Sequence, residues 1–168
     1  MTHYDNPLRL NVGFIVQLSV GSSREFNFDY YHLYIQPDLN LNNLVGFARI
    51  TRTPQGLLTQ VKMRATVAAE CARCLTNFQQ LLEVDFTELY AFSTRTMSES
   101  GLILPESGYI DLAPLVREYM ILEMPINPVC SPDCKGLCPI CGEKIDSTAH
   151  HHEEDSIDPR LSVLKDLL

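Results

Sequence analysis

Between Asn127 and Asp155 the chain has little with which to pack, and it has four cysteines within twelve residues. Cys130, Cys134, Cys138 and Cys141 follow the order Cys-x3-Cys-x3-Cys-x2-Cys, set among proline, glycine, histidine and charge. A segment so poor in apolar side chains cannot offset its lost backbone entropy by burial. The thiols must supply the ordering. Cys138-Pro-Ile-Cys141-Gly142 has the form of a zinc knuckle. Two thiolates two residues apart grip one ion from a tight turn, and the glycine lets backbone amides approach the sulfurs. Cys71 and Cys74 form a second Cys-x2-Cys pair upstream. One such pair is weak evidence for metal; two pairs with two further cysteines in an unpacked segment are strong.

Other readings of cysteine fit less well. A small buried hydrophobe would lie on a clean apolar stripe, and none of the six does. A thioredoxin-like redox pair needs a βαβ context and a helix N-terminus to lower its thiol pKa. Cys71 and Cys74 fall between two strand patterns instead. Six thiols exceed one tetrahedral site and fall two short of two, and the run His150-His151-His152 begins nine residues beyond Cys141. The favoured arrangement has two zinc ions. One is held by Cys71, Cys74, Cys130 and Cys134, the other by Cys138, Cys141 and two of the histidines, with His150 and His152 as candidates. Two alternatives stay open, both starting from one ion. It is held by the four downstream cysteines, or by Cys71 and Cys74 with Cys138 and Cys141.

The rest of the chain can build a core. Its 168 residues are 45% hydrophobic and 20% charged, enough for one domain with a small appendage. Val61, Met63, Ala65, Val67 and Ala69 alternate with Lys62, Arg64, Thr66 and Glu70, the period of a half-buried strand. Alternation resumes at Leu82, Val84, Phe86 and Tyr90, so the two strands form an antiparallel hairpin with Cys71 and Cys74 at its tip. Leu44 to Thr53 and Val12 to Val20 also read as strands, Pro37 to Asn43 as a polar break and Ser93 to Ser107 as a polar loop. Asp111 is a helix N-cap, followed at helical spacing by Leu112, Leu115, Val116, Tyr119 and Leu122 until Pro125 stops it. Asp158-Pro159 opens a short terminal helix whose Leu161, Leu164 and Leu168 can dock on the core. The expected class is α+β. An antiparallel sheet, as a hairpin meander or partly open barrel, carries a helix at about 112–123 over residues 1–125, and a zinc-binding tail over 126–168 packs on it.

The net charge of −8 argues against a general affinity for nucleic acid, which rests on neutralising phosphate. The charge is uneven: Arg49, Arg52, Lys62, Arg64 and Arg73 face one acid, Glu70, between positions 49 and 73. They predict a basic strip for a partner, against the plainer reading of a solvated face, with Arg73 bonded to the thiolate cluster. Residues 1–7 lack a basic region followed by an apolar run, and Val12–Val20 is too short to span a bilayer. No membrane association, no small-molecule substrate and a reducing cytoplasmic setting are expected, in keeping with cysteines used for metal.

Four blocks together carry a resemblance: Ala69–Leu75 around the first cysteine pair, Glu123–Cys130, Cys134–Gly142, and Asp158–Leu168. In this order they resemble the YceD family, named for accumulation of large-subunit (23S) ribosomal RNA. The resemblance implies a factor in ribosome biogenesis that binds ribosomal RNA, a ribosomal protein or a pre-ribosomal particle, without catalytic activity. Family members with the cysteine-rich tail usually carry a further Cys-x-Cys before the Asp-Pro-Arg block, where this chain has His150 to His152. Two other classes compete. A zinc hydrolase needs an open coordination position and a general base, and the chain has no His-Glu-x-x-His or His-x-Glu signature. A thiol or zinc redox sensor needs Cys71 and Cys74 free of metal.

Overall fold

The structure, a computed structural model, describes residues 6–93 and 101–145. It opens with the short strand β1 (Arg9–Asn11) and one helical turn, α1 (Gly13–Val16). Four long strands follow, β2 (Ser23–Ile35), β3 (Leu39–Arg52), β4 (Gly56–Glu70) and β5 (Asn77–Ala91). They pair antiparallel in chain order as a meander. The strand β6 (Tyr109–Asp111) then returns to pair with β1, and α2 (Ala113–Leu122) closes the described core. The expected class is therefore observed: an open antiparallel sheet with two helices and a cysteine cluster drawn from its downstream segment.

Alternation places the core. In β4, Val61, Met63, Ala65 and Val67 are buried while Gln60, Lys62, Arg64 and Ala68 are exposed. β5 answers with Leu82, Val84 and Phe86 inward, in a register that pairs Val61 with Phe86 and Met63 with Val84. Helix α2 lies on this inner face through Val116 and Met120, one turn apart and fully buried. Its Tyr119 ring stacks on Phe86 at 4.1 Å, and the Tyr119 hydroxyl donates to Glu88 at 2.8 Å. The helix begins one residue later than the apolar spacing suggests, but Asp111 still serves it, its Oδ1 accepting from the Ala113 amide at 2.8 Å.

Three details depart from the sequence pattern. Val12–Val20 is not a strand. Alternation holds through Leu8, Leu10 and Val12, all buried, and the chain then turns at Gly13 so that Ile15 becomes the next buried residue. Phe14 and Val20, on the expected face, are exposed. The polar break at Pro37–Asn43 is mostly strand, because β3 begins at Leu39 and the turn from β2 is short. Asn43, at φ 52, produces a bulge where the β3–β4 register shifts. The buried positions of β3 change there from Leu39 and Leu41 to Leu44, Ala48 and Ile50. Part of the polar loop is also tied down: the Ala91 amide donates to Leu102 O, and the Leu104 amide to Ala91 O.

Gly46 and Gly56 mark close approaches inside the sheet, where a Cβ on either would run into a neighbouring carbonyl oxygen, Lys62 O or Tyr90 O. A Cβ on Gly46 would also lie 2.6 Å from Met63 Cα and 2.7 Å from Met63 Cγ, closer than packed atoms come. Gly46→Val is expected to cost about 2 kcal/mol or more by overpacking the β3–β4 contact. Urea unfolding of the variant against the parent checks this, with an unchanged midpoint counting against the close approach.

Candidate metal centre

Strands β4 and β5 end on the same short turn, and the turn presents two thiols. The Cys71 amide donates to Thr76 O at 3.0 Å and the Leu75 amide to Cys71 O at 2.9 Å, with Leu75 at φ 56. A leucine in the left-handed region is uncommon and costs about 1 kcal/mol. It lets Cys71 and Cys74 project to the same side. Both are buried, although they sit at the tip of a hairpin.

What buries them is the segment that leaves α2. The Ala72 amide donates to Pro128 O at 2.8 Å, stitching the hairpin tip to the chain just ahead of Cys130. Arg73 Nη1 donates to Cys134 O at 2.9 Å, and the Cys134 amide closes a small turn on Ser131 O. Gly136, at φ 84, passes so close that a Cβ on it would lie 3.0 Å from Arg73 O. Cys130 and Cys134 are thereby brought over Cys71 and Cys74.

The four sulfurs lie within 4.8 Å of one another, with Cys71 to Cys134 at 3.9 Å and Cys74 to Cys130 at 3.6 Å. Four thiolates around one ion at about 2.3 Å stand about 3.8 Å apart along the tetrahedral edges. The spacing is nearly twice a disulfide bond length. This cluster can hold a metal ion. Electrostatics of the bare thiols point the same way: the Cys130 backbone amide facing Cys71 holds its thiol down at about 6. The Thr76 hydroxyl, 3.3 Å from Cys74 Sγ, lowers the Cys74 thiol. Cys130 is pushed up to about 12 by its hydrogen bond with Cys74 and by burial. Four adjacent thiols cannot all ionise without a cation to share.

Cys138 and Cys141 lie outside that group and build their own turn. Leu137 bridges to Lys144, the Cys138 amide donates to Glu143 O at 2.7 Å, and Gly142, at φ 74, donates to Cys138 O at 2.9 Å. The Ile140 amide points at Cys138 Sγ at 3.4 Å. The Cys141 amide, and after it the Ile140 amide, lowers the Cys138 thiol. This is the tight turn that the Cys-Pro-Ile-Cys-Gly run suggests, and it carries two thiols. His150 and His152, the expected remaining ligands, lie outside the described residues, as does the terminal helix expected from Asp158 onward.

The arginine strip is only partly assembled. Arg49, Lys62 and Arg64 share the outer face, but each stands beside an acid: Arg49 pairs with Glu25 at 2.9 Å, Lys62 with Asp85 at 3.3 Å, and Arg64 sits opposite Glu83 in the register. Arg52 points to the other face, where its Nε donates to Val16 O and its guanidinium covers the Phe92 ring at 4.4 Å. Arg73 reaches the carbonyls of the cysteine loop and no sulfur. The acids were legible in the alternation of β5, but only the register sets them beside the basic groups. Thr76 as a neighbour of Cys74 carried no sequence signal.

The model of the family described as large ribosomal RNA subunit accumulation protein YceD matches residues 59–168. That is well over half of the chain. The chain belongs to the YceD family. Among curated relatives, an uncharacterized protein of Mycobacterium tuberculosis is 36% identical over 126 residues, covering 71% of this chain and 59% of its own. YlbN of Bacillus subtilis is 30% identical over 115 residues, 65% of this chain and 67% of its own. A chloroplastic maize protein named large ribosomal RNA subunit accumulation protein YCED homolog 1 is 40% identical over 40 residues, 24% of this chain and 14% of its own. The chain thus spans about three-fifths of the length of its mycobacterial relatives. No solved structure matches it. The YceD match begins at Thr59, inside β4, so it takes in all six cysteines and leaves β2 and β3 outside.

The two cysteine turns are expected to differ in what they hold. Cys71→Ser removes a sulfur that joins the sheet to the segment after α2, and should lower the melting temperature of the whole protein by about 5–10 °C, on the order of 2–3 kcal/mol. Cys141→Ser should loosen only the tail and leave the sheet transition in place. Calorimetry of both variants decides it; equal losses would show that the two turns are one unit.

Proposed function

We propose that this YceD-family chain is a non-enzymatic, zinc-stabilised factor of ribosome biogenesis, supporting accumulation of large-subunit ribosomal RNA. The observation that carries the zinc assignment is the four-sulfur cluster of Cys71, Cys74, Cys130 and Cys134 at tetrahedral spacing. Thiolate-only sets suit zinc and are closed, which leaves no position for an activated water. Bound there, zinc would supply apparent folding free energy of about 10 kcal/mol or more. This chain's residues do the rest. Cys71 and Cys74 hold the hairpin tip, Cys130 and Cys134 hold the segment after α2, and Arg73 bonds the loop carbonyls between them. A second ion would take Cys138 and Cys141 with two of the histidines from 150 to 152, ordering the tail over 126–168 against the sheet core over 1–125. The setting proposed is the cytoplasm; among the described residues no helix is long and apolar enough to cross a membrane.

The ribosomal role comes from the family's name and from that of the maize relative. Between the two partner classes, the interleaved charge favours a protein component of the pre-ribosomal particle over bare RNA. Glu25, Glu83 and Asp85 stand beside every basic group of the outer strip, and the chain carries −8 overall. A phosphate approaching Arg49, Lys62 or Arg64 would meet a carboxylate at each step.

Affinity capture of the chain from cells, before and after nuclease treatment, tests this. A large-subunit ribosomal protein should stay bound after RNA is digested. If capture yields only rRNA, and Lys62→Ala with Arg64→Ala flattens the salt dependence by about one unit of slope per lost phosphate contact, the strip binds RNA and the protein reading is wrong. Elemental analysis should give two zinc ions per chain; one ion per chain would remove the second site.

A further inference from the structure

A large groove on the described surface lies away from the cysteines, between a strand that the family match leaves out and a helix that it takes in. It has a volume of about 890 Å³ and runs between β2 and the first turns of α2. Its β2 wall is made by Tyr30 and then by His32, Leu33, Tyr34 and Ile35 in succession. A groove over one face of a sheet touches alternate residues, since side chains alternate. A groove lined by consecutive residues opens onto the strand's edge and its backbone.

That edge is open. β2 is the outermost strand of the meander, 13 residues long, and among the described residues no backbone group bonds to its outer side. Long flat edges are usually blunted by charge, proline or a covering element, because their unpaired amides and carbonyls will pair with another chain. The opposite wall is acidic. Arg117 is locked by two bonds to Asp38, at 2.8 and 2.9 Å, while Asp111 and Glu118 have no ion-pair partner among the described residues. Tyr30 and Tyr34 add aromatic surface beside them.

We infer that this groove binds an extended, lysine- or arginine-bearing peptide segment of a protein partner, added as a fifth strand along β2. The backbone edge supplies the pairing, and Asp111 and Glu118 select cationic side chains on an already acidic chain. The inference rests on the protein-partner reading above, and it fits one: a protein that contacts rRNA must carry basic segments.

The test titrates the full chain with a capped Lys-Val-Lys-Val-Lys-Val peptide, its Glu-Val counterpart, and two Lys-Val versions methylated on alternate backbone nitrogens, read by NMR shifts. A peptide strand at a sheet edge uses only every second amide toward that edge. One methylated version should therefore lose binding at least tenfold while the other keeps it, with shifts confined to Tyr30–Ile35 and α2. The Glu-Val peptide should not bind, and Glu118→Lys should weaken the Lys-Val peptide about fivefold. Equal binding of both methylated peptides overturns strand addition, and equal binding of the Glu-Val peptide overturns the charge selection. Two outcomes replace the occupant: a dimer that the peptide dissociates assigns the edge to a second copy, and binding seen only after removal of residues 1–5 assigns it to the chain's own start. Sedimentation of the chain with large-subunit precursors separates this from the ribosomal reading. Sedimentation without peptide binding overturns the groove alone, and peptide binding without sedimentation supports the groove while overturning the ribosomal role.

Discussion

Four sulfur atoms from two distant stretches of chain meet at the tip of one hairpin, and the downstream half of the molecule takes its path from that meeting. Cys71 and Cys74 come from the turn between β4 and β5, while Cys130 and Cys134 come from a segment with too little apolar content to pack for itself. The contacts around the sulfurs are arranged for the junction: Ala72 bonds to Pro128 O, Arg73 to Cys134 O, and Gly136 leaves room against Arg73 O. Bare thiols would make a poor junction. Four of them crowded within 4.8 Å repel as they ionise; the Cys130 backbone amide holds Cys71 low, while the hydrogen bond with Cys74 and burial push Cys130 up. A cation shared between them turns the repulsion into attraction.

The sheet serves that junction by being rigid where it has to be. The β4–β5 register runs unbroken from Gly56 with Ala91 to Glu70 with Asn77, so the hairpin tip is carried on fifteen paired positions. Irregularity is kept to the other side of the meander, where Asn43 shifts the β3–β4 register. The stiff hairpin holds the thiols, and among the described residues no strand pairs with the outer side of β2. These two ends of the sheet divide the surface into a closed centre and an open groove.

Electrostatics on the outer face depends on pairing that spans three strands. Exposed ion pairs such as Arg49 with Glu25 and Lys62 with Asp85 add at most about 1 kcal/mol each to stability. Their larger effect is on recognition. They set a carboxylate beside each basic group, which weakens the local positive field that a polyphosphate would need.

The sequence by itself determined the elements whose signal is periodic or local. The alternation of Val61, Met63, Ala65 and Val67, and of Leu82, Val84 and Phe86, required two half-buried strands. The spacing of Leu112, Leu115, Val116 and Tyr119 with Asp111 ahead of them required α2, although Leu122 of that stripe is exposed and Met120 is buried instead. The Cys-Pro-Ile-Cys-Gly run likewise contains its own turn, since every bond that shapes it lies within a few residues. Tertiary structure alone decided what depends on contacts between distant residues. Val12–Val20 alternates well enough for a strand, yet it turns at Gly13 because Gly108 O accepts from both Val12 and Gly13. Arg52 looks like its basic neighbours, but the parity of β3 sends it to the opposite face, onto Val16 O and Phe92. Six cysteines permit several groupings; the Ala72–Pro128 bond and the exit of the chain from α2 bring Cys130 and Cys134, and not Cys138 and Cys141, to the hairpin tip. Spacing can say that thiols will be shared, but which ones meet is fixed by the path of the backbone between them.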